Sequence, residues 1–330
     1  MHKCIIDNNM SAFTPYSNVN LFFTYYLFLT LDFKSFILPG TVPSFSEGDQ
    51  SGIYIPFPPL NEQQRIADYL DAQCARIDET MELVRQSKEK LRAYKLSLIT
   101  EAVTKGLDPD VPMKDSGIPW IGEIPQNCKC VAVNKLFTLI LGKMLSDSPK
   151  SESDTFEQYL CAMNVHFNGI DDTNLKKMWF SQKEKSLYKV NDGDLLIVEG
   201  GAGAGGAFLA ENMCDKNIYI QNSIIIARES KEISSAKFLY YVIYSFVKRN
   251  YIDFICNKAT IPHFTKEKIG NTKIVLFSLP EQQRIAAYLD EKCARIDALL
   301  AEKDELLDKL AEYKKSLIFE CVTGKREVAA

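Results

Sequence analysis

Apolar residues recur with a 4,3 spacing along two long stretches of the chain. In the first, Leu70, Ile77, Val84, Leu91 and Leu98 form one heptad column, with Cys74, Met81, Lys88, Lys95 and Ala102 in the other. In the second, the columns are Leu289, Ile296, Lys303, Leu310, Leu317 and Cys293, Leu300, Leu307, Lys314, Cys321. Neither stretch meets Pro or Gly before Gly106 and Gly324, so each predicts a single helix of about 43 residues, roughly 65 Å long. A two-column seam needs a second helix against it. The stretches open as EQQRIADYLDAQCARID at Glu62 and EQQRIAAYLDEKCARID at Glu281, 219 residues apart, and 24 of 44 aligned positions are identical without a gap. Such duplication predicts that one copy pairs with the other, antiparallel because a single intervening domain returns the chain to the same end. Packing of each seam on its own globular domain is the alternative. Lys95 and Lys314 hold equivalent seam positions, where polar groups cost stability but fix register, their stems lying along the seam.

The repeat extends upstream at the same offset. Thr41, Val42, Pro43 and Phe45 match Thr260, Ile261, Pro262 and Phe264, with Ser44 opposite His263, and Ile55 matches Ile274. Residues 1–58 therefore read as the remnant tail of a first domain whose complete version is 131–280. Residues 59–105 are the first helix, 106–130 a connector, 131–280 the complete second domain and 281–330 the second helix. The connector, dense in Gly, Pro and Asp, reads as ordered but irregular, with Trp120 and Ile121 anchoring it to the following domain. Within 131–280, LLIV from Leu195 and IYIQNSIIIA from Ile218 read as strands, Ala236–Ile255 as an amphipathic helix and Lys273–Leu279 as a last extended segment. The fold class is α+β: a mixed domain plus two repeat-related helices in an antiparallel coiled coil. Leu21–Leu31 is too short to cross a bilayer and reads as a buried helix. The apolar tail LFFTYYLFL and IYIPF, lacking counterparts to the strands of the full copy, is expected to lean on the coiled coil, recruit another chain or stay poorly ordered.

Composition adds little but bounds the class. Of 330 residues, 46% are hydrophobic and 25% charged, an ordinary globular balance. Nine cysteines without a regular framework suggest a reducing cytosol. Cys128 and Cys130 lack a second pair, which argues against zinc, and Cys74 and Cys293 fall in the helix seam as small apolar residues. The amino end carries no targeting pattern. The net charge is −4, yet Val131–Pro280 carries 18 basic and 16 acidic side chains, so the mixed domain alone is positive.

Few motifs carry chemistry. Gly201–Gly206 contains GxGxxG after a strand, but the following AFLAENMCDKN does not continue as the helix a dinucleotide site requires, so a hairpin or a loop whose bare backbone approaches a ligand is preferred. No Walker A or adenine-methyltransferase tetrapeptide occurs, and His166 and His263 lack partners at a telling spacing. Lys176, Lys177, Lys183 and Lys185 cluster around Trp179 and Phe180. They are either a solvated face or phosphate contacts. Gln221, Asn222 and Arg228 have the polar groups that read base edges.

The doubled EQQRIAxYL helix, the connector VTKGLDPDVPMKDSGIPWIGEIP and a globular domain ending in TIPHF before a PEQ turn resemble the DNA-specificity (S) subunit of type I restriction-modification enzymes. The resemblance covers residues 20–330. It implies a non-catalytic, cytoplasmic subunit that directs methyltransferase (M) and restriction/translocase (R) subunits to double-stranded DNA, with residues 131–280 reading one half-site and self-association a possibility. It implies no cofactor on this chain, S-adenosylmethionine, ATP and Mg being expected on the partners. Candidate DNA contacts are Lys143, Lys176, Lys177, Lys183, Lys185, Gly203, Gln221, Asn222, Thr260 and His263. Candidate docking residues, repeated at identical phase, are Arg65 with Arg284 and Arg76 with Arg295. A structural coiled-coil protein without DNA specificity is the competing reading.

Overall fold

The structure is a computed structural model of the 330-residue chain and describes residues 14, 16–32, 52–201, 203–213, 216–229, 233–251 and 263–329. The repeat matches at 41–45 and 260–262, with the candidate Thr260, lie outside the described residues. In chain order the elements begin α1 (Leu21–Thr30), α2 (Leu60–Lys105), β1 (Met113–Asp115), β2 (Glu123–Pro125), β3 (Lys129–Ala132), β4 (Phe137–Leu141) and β5 (Thr155–Leu160). There follow β6 (Val165–His166), β7 (Gly169–Ile170), β8 (Lys176–Phe180), α3 (Gln182–Tyr188), β9 (Leu195–Val198), β10 (Ala207–Leu209) and β11 (Ile218–Ile220). The last are β12 (Ile224–Glu229), α4 (Ala236–Lys248), α5 (Lys266–Asn271), β13 (Lys273–Leu276) and α6 (Leu279–Val322). Two compact units result: Met1–Lys90 with Ala298–Ala330, and Leu91–Asp297.

In the first unit α2 and α6 run antiparallel, as the heptads predict, with Lys314 on Asp78 at 2.7 Å and Lys88 on Asp304. One side of α1 lies on them: Phe23, Tyr26 and Leu27 are buried with Ile66, Leu70, Cys74 and Ile77 of α2 and Leu317, Ile318 and Cys321 of α6. The segment around residues 21–30 thus leans on the long helices, while Leu21, Phe22, Tyr25 and Leu29 on its other side remain exposed. Asn20 caps α1 by accepting from Phe23 N.

In the second unit the strand order β10-β9-β12-β4 is antiparallel throughout. β9 is buried along its whole length because the sheet is covered on both faces. Leu195, Ile197, Ile225 and Ala227 enter one core with Phe238, Val242 and Phe246 of α4 and Ile285 and Leu289 of α6. Leu196, Val198, Ile224 and Ile226 point the opposite way into a second core with Leu160, Ile218 and Ile220. This two-sided burial explains the unbroken apolar runs. The expected strand IYIQNSIIIA is in fact two: a turn at Gln221–Ser223 sends β11 into one sheet and β12 into another. α4 ends at Lys248, with Asn250 in the left-handed region, and residues 252–255 of the expected helix lie outside the described residues. The connector forms a β1–β2 hairpin rather than irregular chain, and Trp120 packs edge-on against Phe246 at 4.7 Å and against Tyr251 at 4.4 Å.

Each unit contains one copy of the same junction. Gln63 and Gln282, 0% and 1% exposed, are equivalent in the repeat. Gln63 Nε2 donates to Asn18 O at 3.3 Å and Pro58 O at 2.8 Å. Gln282 Nε2 donates to Ile233 O at 3.0 Å and Phe277 O at 2.9 Å. Further along, Tyr26 donates its hydroxyl to Asp71 at 2.6 Å and Tyr241 donates to Asp290 at 2.7 Å. Burial, then the hydrogen bond to the carboxylate, pushes both phenols well above their ordinary value. α1 and α4 are therefore fixed to their long helices by the same buried amide and the same phenol.

Candidate nucleic-acid interface

The β5 and β8 strands are antiparallel, with Phe156 opposite Trp179 and Gln158 opposite Lys177. Parallel pairing of β11 with β5 completes a three-stranded sheet. Period-2 alternation divides this sheet into two faces. Tyr159, Met178, Phe180 and Tyr219 pack together on one, beside α3, whose N-cap Ser181 and Glu184 form a capping box. The other face begins at Leu160, Ile218 and Ile220 inside the domain core and runs out into solvent at Gln158, Lys177, Phe156 and Trp179. Phe156 is 50% exposed, its ring 5.2 Å from that of Trp179. Ser146 O accepts from Trp179 N at 3.3 Å, which brings exposed Met144 and Leu145 to the same sheet edge. A solvated amide, a lysine and two adjoining aromatic rings on one rigid strand pair suit nucleic acid: the amide can bind adenine bidentately, the lysine a phosphate, and apolar atoms a thymine methyl.

The glycine run is a hairpin between β9 and β10. Val198 N donates to Gly206 O and Gly205 N to Val198 O, both at 2.8 Å, and the turn uses Gly201 and Gly205 at φ +88° and +81°. No helix follows, so the dinucleotide alternative has no basis in this geometry. His263 pairs with Gly200 in an antiparallel bridge, so close that a Cβ on Gly200 would stand 2.6 Å from His263 Nδ1. The hairpin and His263 are thus brought together. At Gly203 a Cβ would meet only Val198, at 3.9 Å.

The lysine cluster separates into exposed and internal members. Lys176, Lys177 and Lys183 are exposed, and Lys185 is paired with Glu157 at 3.4 Å. Lys143 is withdrawn from any phosphate: it is 6% exposed, bonds Glu184 and Trp179 O at 2.6 Å each, and lies over the Phe180 ring. Burial acts to raise the Glu184 carboxyl, but the bonds from Lys143 and Ser181 outweigh it and hold that carboxyl below its ordinary value. Gln221 and Asn222 are half-buried in the β11–β12 turn. There Gln221 Nε2 donates to Asn222 Oδ1 at 2.7 Å and Gln221 Oε1 accepts from Ser223, which ties the glutamine amide to its own turn. Arg228 is likewise committed, gripping Asp194 with two 2.7 Å bonds.

The repeated arginines differ in setting. Arg284 pairs with Glu281 at 2.9 Å and Arg295 with Glu291 at 2.6 Å, while nearby Asp290 binds Tyr241 and Lys237. Arg76 is exposed, and Arg65 keeps a buried Nε without an acceptor among the described residues. Phe156 and Gln158 escaped sequence reasoning because neither is charged or part of a motif. Alternation across TFEQYL, with Phe and Gln out of phase with Tyr159, was the available signal. Among the described residues no cluster of metal-ligating side chains occurs, and no helix is long and apolar enough to cross a membrane.

Comparison with known proteins places this arrangement. The putative MjaX specificity subunit of Methanocaldococcus jannaschii is 25% identical over 341 residues, spanning 99% of this chain and 72% of that protein. The EcoKI specificity subunit of Escherichia coli K12 is 24% identical over 281 residues, and the chain covers 58% of its length. In fold, the chain is similar to a chain from a study of complex assembly and conformational transition of the type I R-M system, with TM-score 0.64 at 20% identity over 92% of this chain and 69% of that one. It is also similar to the HsdS subunit of Thermoanaerobacter tengcongensis, with TM-score 0.52 at 19% identity over 94% of this chain and 71% of that one. The sequence pattern of the type I restriction modification DNA specificity domain matches residues 1–93 and 125–308, and the chain belongs to that family.

Proposed function

We propose that this chain is the DNA-reading subunit of a type I restriction-modification assembly and that residues 131–280 read one half of its target. The observation that carries this reading is the open end of the three-stranded sheet, where exposed Phe156, Gln158 and Lys177 stand beside half-buried Trp179. Of the sequence candidates, Lys177 supplies a phosphate contact on this face, Lys176 and Lys183 lie toward the opposite, α3 side of the sheet, and Gly203 and His263 at the β9–β10 hairpin are a second point of approach. Lys143, Gln221 and Asn222 shape the strands that present them. The chain itself is non-catalytic: methyltransferase and restriction subunits bring S-adenosylmethionine, ATP and Mg, and meet the exposed faces of α2 and α6 near Arg76 and Arg295. The family membership and the antiparallel helix pair support this division of labour.

The test is co-purification of the full chain with a methyltransferase subunit, followed by DNA retention across a salt series. Retention that falls steeply with salt and depends on DNA sequence is the expected result. Assembly that binds every duplex equally, at every salt concentration, would overturn it.

A further inference from the structure

Three ion pairs join α2 to α6: Lys314 with Asp78 and Lys95 with Asp297, each at 2.7 Å, and Lys88 with Asp304. In every pair the two residue numbers sum to 392, so a single antiparallel register accounts for all three. The first two are images of each other under the duplication: Lys95 and Lys314 lie 219 residues apart, and so do Asp78 and Asp297. Two copies of α2 paired in this register would still set Lys95 against Asp78, and two copies of α6 would set Lys314 against Asp297. These bridges fix register but do not distinguish an unlike helix pair from a like one.

Lys88 and Asp304 break the repeat, because the equivalent positions are Leu307 and Arg85. In a like pair of α2 helices Arg85 would occupy the place of Asp304. Lys88, 8% exposed in the seam, would then face a cation, and would do so twice by symmetry. In a like pair of α6 helices Asp304 would face Leu307. The side chain of Asp304 is 59% exposed, so a cation in its place is partly screened, and two such like-charge contacts together lower a pairing constant by about tenfold; a single polar seam residue is enough to choose partners in a coiled coil.

We propose that Lys88 and Asp304 determine partner choice: they make α2 pair with α6 and exclude pairing of either helix with a second copy of itself. The inference concerns the helix pair alone and is independent of the DNA reading. A duplicated helix would otherwise be close to self-complementary, and a cell making this chain would face assemblies whose recognition domains are wrongly spaced.

The experiment is amine cross-linking of the full-length chain with mass spectrometry. Links joining Lys90 to Lys90 can arise only between two copies and report like pairing of α2. Lys88→Asp sets an acid opposite Arg85 in the like pair and opposite Asp304 in the unlike pair. Lys90–Lys90 links should rise about tenfold or more, and Lys88→Asp combined with Asp304→Lys should return them to the starting level. Lys88→Leu removes the discrimination without placing two acids together and should give a smaller rise. The proposal is overturned if folded Lys88→Asp and Lys88→Leu chains both show no increase, or if the double variant fails to reverse it. Should Lys88→Asp lose its helical circular dichroism, Lys88→Leu and the double variant decide by the same criterion.

Discussion

The backbone N–H of Ser235 donates to Oε1 of Gln282 at 3.0 Å, and Asn20 donates to the repeat-related Gln63 at 2.8 Å. One glutamine in each copy thereby satisfies a helix N-terminus and, through its Nε2, two carbonyls of the incoming chain. Gln282→Leu strands these groups in a dry junction, at about 1–3 kcal/mol for each group left unpaired. We expect a loss of about 3 kcal/mol in urea unfolding, with Gln282→Glu intermediate because it keeps the acceptor and loses both donors. A loss within about 0.5 kcal/mol, the range of neutral surface substitutions, would show that the junction does not depend on this amide.

Much of this architecture is legible in the sequence, and what is not has physical causes. The long helices stand out because the repeat runs ungapped at an offset of 219, so Leu70 and Leu289, or Ile77 and Ile296, superpose directly. The equivalence of α1 and α4 is hidden because there the offset becomes 215: Phe23 matches Phe238, Tyr25 matches Tyr240 and Tyr26 matches Tyr241. The site was harder still. Charge alone makes Lys143 and Arg228 look like phosphate or base contacts, yet both are consumed by internal carboxylates, Glu184 and Asp194. Burial is a tertiary property, and a single sequence does not print it. Phe156 shows the converse, an apolar residue that reads as core and stands in solvent.

Arg228 separates a structural role from a reading role. Asp194 is 2% exposed, so Arg228→Met leaves a buried acid without its counter-ion. Breaking such a pair costs about 3 kcal/mol, reduced to about 2 here by the solvent access of the guanidinium. Adding Asp194→Asn should recover about half of the loss. Weakened DNA binding in an Arg228→Met chain of unchanged thermal stability would contradict this assignment.

Acid should loosen the β5–β8 region through Glu184. Its folded carboxyl titrates below the unfolded one, so its pairing with Lys143 contributes fully above the ordinary carboxylate range and is lost as pH falls through the lowered value. The stability gap between the unmodified chain and Glu184→Gln should therefore be widest near neutrality and close as the pH falls through the lowered carboxyl value. A gap that stays constant over this range in urea titrations would remove the ion pair from the account.

Salt dependence distinguishes the two kinds of contact proposed for the open sheet. Lys177→Ala should lower the slope of log affinity against log salt by about 0.9 for one phosphate lost. Phe156→Ala should weaken binding at every salt concentration and leave the slope unchanged, since it releases no counterion. Slopes that move equally in both variants would show that the face contributes charge alone.

The most direct measurement is a map of methylated sites made by this chain combined with a type I methyltransferase subunit, compared with the map made by a Gln158→Ala, Trp179→Ala variant that assembles equally well. The account predicts that bases in one half of the target become degenerate or lose methylation while the rest of the pattern is kept. An unchanged target methylated with unchanged efficiency would contradict it.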